Sequence, residues 1–113
     1  MFTTTITFTG KAAQQITQMH IPPSITMTVN IDPNTARRKV TGWLVSYVGN
    51  MLMGGTAELV IINQALWRVP ALLTSSKVGI VGQAGFVDVD AITGELLVDD
   101  NLIEEILNNA INL

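Results

Sequence analysis

Threonine alternates with Ile6 and Phe8 from Thr3 to Thr9, the two-residue period of a half-buried strand. The same period returns from Ser24 to Ile31, with Ile25, Met27, Val29 and Ile31 on one side and Thr26, Thr28 and Asn30 on the other. Between them Lys11 to Met19 is weakly helical and stops before Pro22 and Pro23. The period then changes. Ala36, Val40, Trp43, Leu44, Tyr47, Val48, Met51 and Leu52 recur at three- and four-residue spacing, which predicts a long helix running up to Gly54 and Gly55. Asp32 suits its N-cap and Pro33 its first position, where a missing N–H costs nothing. Gly42 and Gly49 inside that stripe each cost roughly 1 kcal/mol relative to alanine. They mark close packing against a strand or another helix, such as a contact across a dimer.

Further strands are predicted at Thr56–Ile62 and, after a tight turn at Asn63 and Gln64, at Ala65–Thr74. Pro70 lacks a ladder donor, so the second of these is read as an edge strand or as interrupted there. Phe86–Ala91 is the next strand. Asp90 to Glu95 is a turn in which Gly94 supplies a positive φ, and Leu96–Val98 returns as a short strand. Asp99, Asp100 and Asn101 open a terminal helix, with Glu104 in capping-box position relative to Asn101. Leu102, Ile103, Ile106, Leu107, Ala110 and Ile111 form its apolar face, and Glu104, Glu105, Asn108, Asn109 and Asn112 its wet one. The pattern predicts an α+β fold: an antiparallel sheet of about four to five strands packed against one long helix, with a C-terminal amphipathic helix. Residues 1–113 read as a single domain without repeats or linkers. No C-cap precedes Leu113, which leaves open that the natural chain continues.

Composition adds a surface argument. Charged residues are 13% of the chain while apolar residues are 48%, against about 25% charged in ordinary soluble domains. So few charges protect a monomer poorly from association, and a homodimer is expected. Cysteine is absent, which removes disulfides and thiolate metal sites and fits a cytoplasmic location. The N-terminus has no basic segment followed by an apolar one, so no export signal is read. Eighteen uncharged residues separate Lys39 from Glu58, but the glycines, Thr41, Ser46, Asn50 and Thr56 among them favour a buried helix over a membrane span.

All six basic residues lie before Val78, with only Asp32 and Glu58 as acids; the remaining seven acids follow it. Either an acidic C-terminal face meets a partner with a basic surface, or the two halves lie against each other. Arg37, Arg38 and Lys39 fan over roughly 200° of helix, a solvated face or partners for Asp88, Asp90, Glu104 or Glu105. With a pI near 4.8, nucleic-acid binding is not expected. Gly79, Gly82 and Gly85 precede a strand instead of opening a helix, so they read as a bulged or mobile connection and not a phosphate loop. Asp88 and Asp90 share one strand face. With Glu95 they are candidates for a hard cation, for an arginine from a partner, or for the plain wet side of a strand. His20, the one histidine, sits beside prolines with no catalytic partner in sight. Trp43 and Trp67 are core or interface anchors.

Trp67-Arg68-Val69-Pro70 followed by Gly85-Phe86-Val87-Asp88-Val89-Asp90-Ala91-Ile92-Thr93-Gly94-Glu95 resembles the strand–turn hairpin of PepSY-type domains. It is also similar to a class of small prokaryotic proteins with the same hairpin, some of them partners of toxins. The resemblance covers the last half of the chain and implies a helix preceding an antiparallel sheet. The expected role is a non-enzymatic protein-binding module without cofactors, an inhibitor or antitoxin-like partner, with Arg68, Asp88, Asp90, Glu95, Glu104 and Glu105 as candidate contact residues. The alternative is a ligand-binding or enzymatic domain with a pocket between the long helix and the sheet, using Asp88, Asp90 or Arg68.

Overall fold

The computed structural model describes residues 4–8 and 25–113, with side chains from Val29 onward. The predicted Lys11–Met19 helix and His20 lie outside the described residues. Strands β1 (Thr4–Phe8) and β2 (Ile25–Val29) pair antiparallel, Thr4 opposite Val29 and Phe8 opposite Ile25. Helix α1 (Pro33–Tyr47) follows. A second sheet holds β3 (Leu52–Gly54), β4 (Glu58–Ile61), β5 (Ala65–Ser75), β6 (Gly79–Asp90) and β7 (Leu96–Leu97), and helix α2 (Asp100–Ile111) ends the chain. The result is an α+β fold with a five-stranded, wholly antiparallel sheet and two helices.

Helix α1 starts where the sequence places it. The Asp32 carboxylate accepts from the Thr35 N–H at 2.6 Å, with Pro33 opening the first turn. That bond, followed by one from the Thr35 hydroxyl, holds the Asp32 carboxyl below its ordinary pKa. The helix ends earlier than its apolar stripe. Val48 is the C-cap, and the N–H groups of Val48 and Gly49 both donate to the Leu44 carbonyl. Glycine and asparagine at 49 and 50 are weak helix formers, so the chain reverses there, and Leu52 is buried as part of β3. The helical spacing of Val48, Met51 and Leu52 is thus coincidental. Gly49 lies beyond the helix, so it shares no helical face with Gly42.

Gly42 is exposed, and a Cβ built there meets nothing within 4 Å. Gly42→Ala is therefore expected to stabilise the chain by about 0.5–1 kcal/mol, read as a higher urea midpoint. A lower midpoint would mean that another surface occupies this face of α1.

Pro70 does not mark an edge. β5 is the central strand, with β6 on one side and β3 and β4 in tandem on the other. The interruption falls in its neighbour. Gly54 pairs with Ala71 and Glu58 with Arg68, leaving residues 55–57 opposite 69 and 70. Pro70 turns its carbonyl to that gap, where it accepts from the Gly55 N–H at 2.8 Å. The donor that proline lacks would have pointed at the one place where the neighbouring strand is broken.

The glycine-rich connection is part of a strand. β6 begins at Gly79, whose φ of 76° closes the 76–78 turn. Its register against β5 shifts twice, leaving Val81 and Ala84 as extra residues in bulges.

The core lies on one face of this sheet. Trp67, Val69, Ala71, Val87 and Val89 join Ala36, Val40, Trp43 and Leu44 of α1 and Ile106 of α2. Both helices pack on that face. A Cβ at Gly54 would stand 2.9 Å from the Arg37 carbonyl of α1, and one at Gly85 would stand 3.4 Å from Ile106 of α2. The cap of α2 is Asp99, whose carboxylate accepts from the Leu102 N–H at 2.9 Å, so the expected Asn101–Glu104 capping box does not form. Leu107 and Ile111, expected on the apolar face, are exposed. Asn109, expected on the wet face, donates to the Ala84 carbonyl at 2.9 Å and ties α2 to the second bulge of β6.

Candidate functional site

The opposite face of the sheet carries Arg68, Pro70 and Leu72 of β5, with Phe86 and Asp88 of β6 beside them, because alternate strand residues point to opposite sides. Register sets Arg68 directly across from Asp88 on one flank and Glu58 on the other. The guanidinium donates from Nε to Asp88 Oδ1 at 2.9 Å and from a terminal nitrogen to Oδ2 at 3.0 Å. It also sits 4.3 Å above the centre of the Phe86 ring. The bond to Asp88 is the main reason that the Arg68 pKa is raised, against the opposing effect of burial, with smaller help from the charges of Asp88 and Glu58. The two side chains are 30% and 20% exposed. Solvent screening therefore keeps a pair of this kind at about 0–1 kcal/mol. Its consequence is positional: a fork-shaped cation and an aromatic ring are held together on one face of the sheet.

Asp90 is used by its own turn. Its Oδ1 accepts from the N–H groups of Ile92 and Thr93, and its backbone N–H donates to the Glu95 carbonyl at 2.9 Å. Gly94, with φ of 80°, completes the turn predicted from the sequence. Lys39 of α1 donates to the Gly94 carbonyl at 2.7 Å. The basic run at 37–39 thus reaches the turn through a backbone oxygen, while Arg38 donates to Thr35 on its own helix at 3.2 Å. The Asp88, Asp90 and Glu95 carboxylates do not converge. Among the described residues no group of three histidine, cysteine, aspartate or glutamate side chains could hold a metal ion.

Glu95, Asp99, Asp100, Glu104 and Glu105 are all exposed. The ion pair between Arg68 and Asp88 is the one found among the described residues, and it involves none of them. Arg68, Asp88 and Asp90 lie on the sheet face turned away from α1, so they line no space between that helix and the sheet. Phe86 is the functional candidate that the strand pattern undervalued. It is 44% exposed and shares its face with Asp88. An aromatic residue two positions before the aspartate pair, on the same wet side, was the available signal.

The five-stranded antiparallel sheet and its two helices define the class of this chain as an α+β structure. Comparison with known proteins finds no matching family model, no matching curated protein and no matching solved structure. No helix among the described residues is long and apolar enough to cross a membrane.

Proposed function

We propose that the chain is a non-enzymatic protein-binding module of the cytoplasm, acting as a homodimer and engaging a partner with a basic surface as an inhibitor or antitoxin-like protein. The observation that carries this reading is the acidic rim from Glu95 to Glu105, five exposed carboxylates with no ion pair among the described residues. Unneutralised charge of one sign steers a partner of the other sign and fixes its orientation. Arg68 and Phe86, residue types enriched at protein interfaces, supply a second contact region on the sheet face turned away from α1. The PepSY-like hairpin belongs to the same reading as a likeness of the strands from Trp67 to Glu95.

The test is affinity capture from extract of the source cell with the wild-type chain and with the double variant Glu104→Lys, Glu105→Lys. The expected result is a protein retained by the wild type, released as salt rises, and lost with the double variant. Identical sets of proteins on both baits would overturn the reading.

A further inference from the structure

β6 is paired on its outer side only at its end, where Asp88 and Val89 meet Leu97 and Leu96 of β7. From Gly79 to Val87 that side has no partner strand among the described residues. Natural edges are usually blunted by lysine, proline or a covering element, yet this one runs from Val78 to Val87 without a charged residue or a proline. Ile80 is 61% exposed, and Val78, Val81 and Phe86 are exposed as well.

The register shows which backbone groups face outward. Pro70 bonds to Gly55 and Thr74 to Met51, so both turn away from β6. Their cross-strand partners Phe86 and Ile80 therefore turn away from β5, since directly opposed antiparallel residues either bond to each other or both face outward. Leu72, between Pro70 and Thr74, behaves alike, and so does its partner Gln83. Bulges ordinarily spoil an edge. Here the extra residues Val81 and Ala84 are spaced so that Ile80, Gln83 and Phe86 stay opposite Thr74, Leu72 and Pro70, at the spacing of an ordinary strand.

We propose that β6 pairs antiparallel with β6 of a second copy of this chain about a two-fold axis at Gln83, joining the two sheets into one. The set of outward-facing residues is its own complement: Ile80 falls opposite Phe86 of the second copy, Gln83 opposite Gln83, and each bulge opposite the other. Exposed apolar side chains then meet across the axis, and the two Gln83 amides face each other. Charge agrees with the same direction. Lys77 stands at one end of the uncharged stretch and Asp88, with Asp90 beyond it, at the other, so antiparallel pairing brings each lysine to the acidic end of its neighbour, whereas parallel pairing sets like charges together. On the helix side, exposed Leu107, Ile111 and Leu113 of α2 extend the contact; Leu113 already reaches over Gly82, where a Cβ would stand 3.0 Å from it.

This inference rests on the self-association in the proposed function and gives it a place. The chain has no cysteine, so Gln83→Cys introduces a single thiol. Bonded antiparallel pairs place their Cα atoms about 5.5 Å apart, within the span of a disulfide. The wild type is expected to show twice the 12.2 kDa chain mass by light scattering. Under mild oxidation Gln83→Cys should convert to a covalent dimer, while the distant surface control Asn63→Cys stays largely unlinked. Gln83→Lys, which faces two like charges on the axis, should run at the single-chain mass. A wild type of single-chain mass overturns both the pairing and the self-association. A dimer that persists in Gln83→Lys, with Gln83→Cys linking no faster than the control, overturns the β6 pairing alone.

Discussion

Trp67→Ala is expected to destabilise the chain by about 3–5 kcal/mol, the usual cost of deleting a large buried aromatic side chain. The indole lies opposite Val89 on β6 and Leu59 on β4, within the cluster that α1 covers. Its Nε1 donates at 2.6 Å to the carbonyl of Ile31, in the segment between β2 and α1. Truncation therefore opens a cavity in the sheet core and strands an acceptor at the place where the first sheet leads into the helix. Urea unfolding followed by circular dichroism should show a lower midpoint with an unchanged slope. Trp67→Phe separates the two contributions: it keeps much of the apolar volume and loses the donor, which costs about 1–3 kcal/mol where the acceptor stays buried. A loss below about 1 kcal/mol for alanine would show that the indole is not a core anchor.

Gly54→Ala is the second large effect, and its sign is opposite to that of Gly42→Ala. A Cβ at Gly54 would stand 2.9 Å from the Arg37 carbonyl, 3.0 Å from Val69 Cγ1 and 3.1 Å from Thr41 Oγ1. The nearest of these is backbone and cannot rotate away. The Gly54 N–H also donates to Thr41 Oγ1 at 2.9 Å, and Thr41 in turn donates to the Arg37 carbonyl at 3.0 Å. Pushing β3 off α1 breaks that relay as well as the packing. Overpacking of this kind costs about 1–3 kcal/mol, which thermal unfolding monitored by circular dichroism would read as a depressed midpoint. An unchanged midpoint would mean that β3 and α1 can separate freely, against the close approach of Gly54 to the Arg37 carbonyl.

The second half of β6 and the turn that follows it were legible because their signals are local, whereas Gly79–Gly85 reads as a connection and not as strand. Asp90 and Gly94 close a turn through groups four residues apart, and Val87 and Val89 alternate with Asp88 and Asp90 whatever lies beyond them. The start of α1 was legible for the same reason, since Asp32, Pro33 and Thr35 make the cap among themselves. The end of α1 was not. Val48, Met51 and Leu52 continue a helical period, and only the pairing of Leu52 with Leu73 shows that this apolar residue is buried as a strand. At the terminal helix, Asp99, Asp100 and Asn101 all offer a capping side chain. Docking of Ile106 over Gly85 places the first turn so that Asp99 takes the role.

The candidate site divides along the same line. Arg68, Asp88, Asp90, Glu95, Glu104 and Glu105 could all be named from charge and position. Their division into a paired set, a turn-building set and an exposed rim could not, because Arg68 and Asp88 lie twenty positions apart and meet only through a register that two bulges adjust. Alone, the sequence determined the elements whose hydrogen bonds close within a few residues, the α+β class and the acidic second half. Tertiary structure decided where α1 stops, why Pro70 is tolerated in a central strand, which carboxylates are left to solvent and which stretch of β6 has no second partner strand among the described residues. Those outcomes depend on which backbone groups find partners across the sheet, and that is set by residues far apart along the chain.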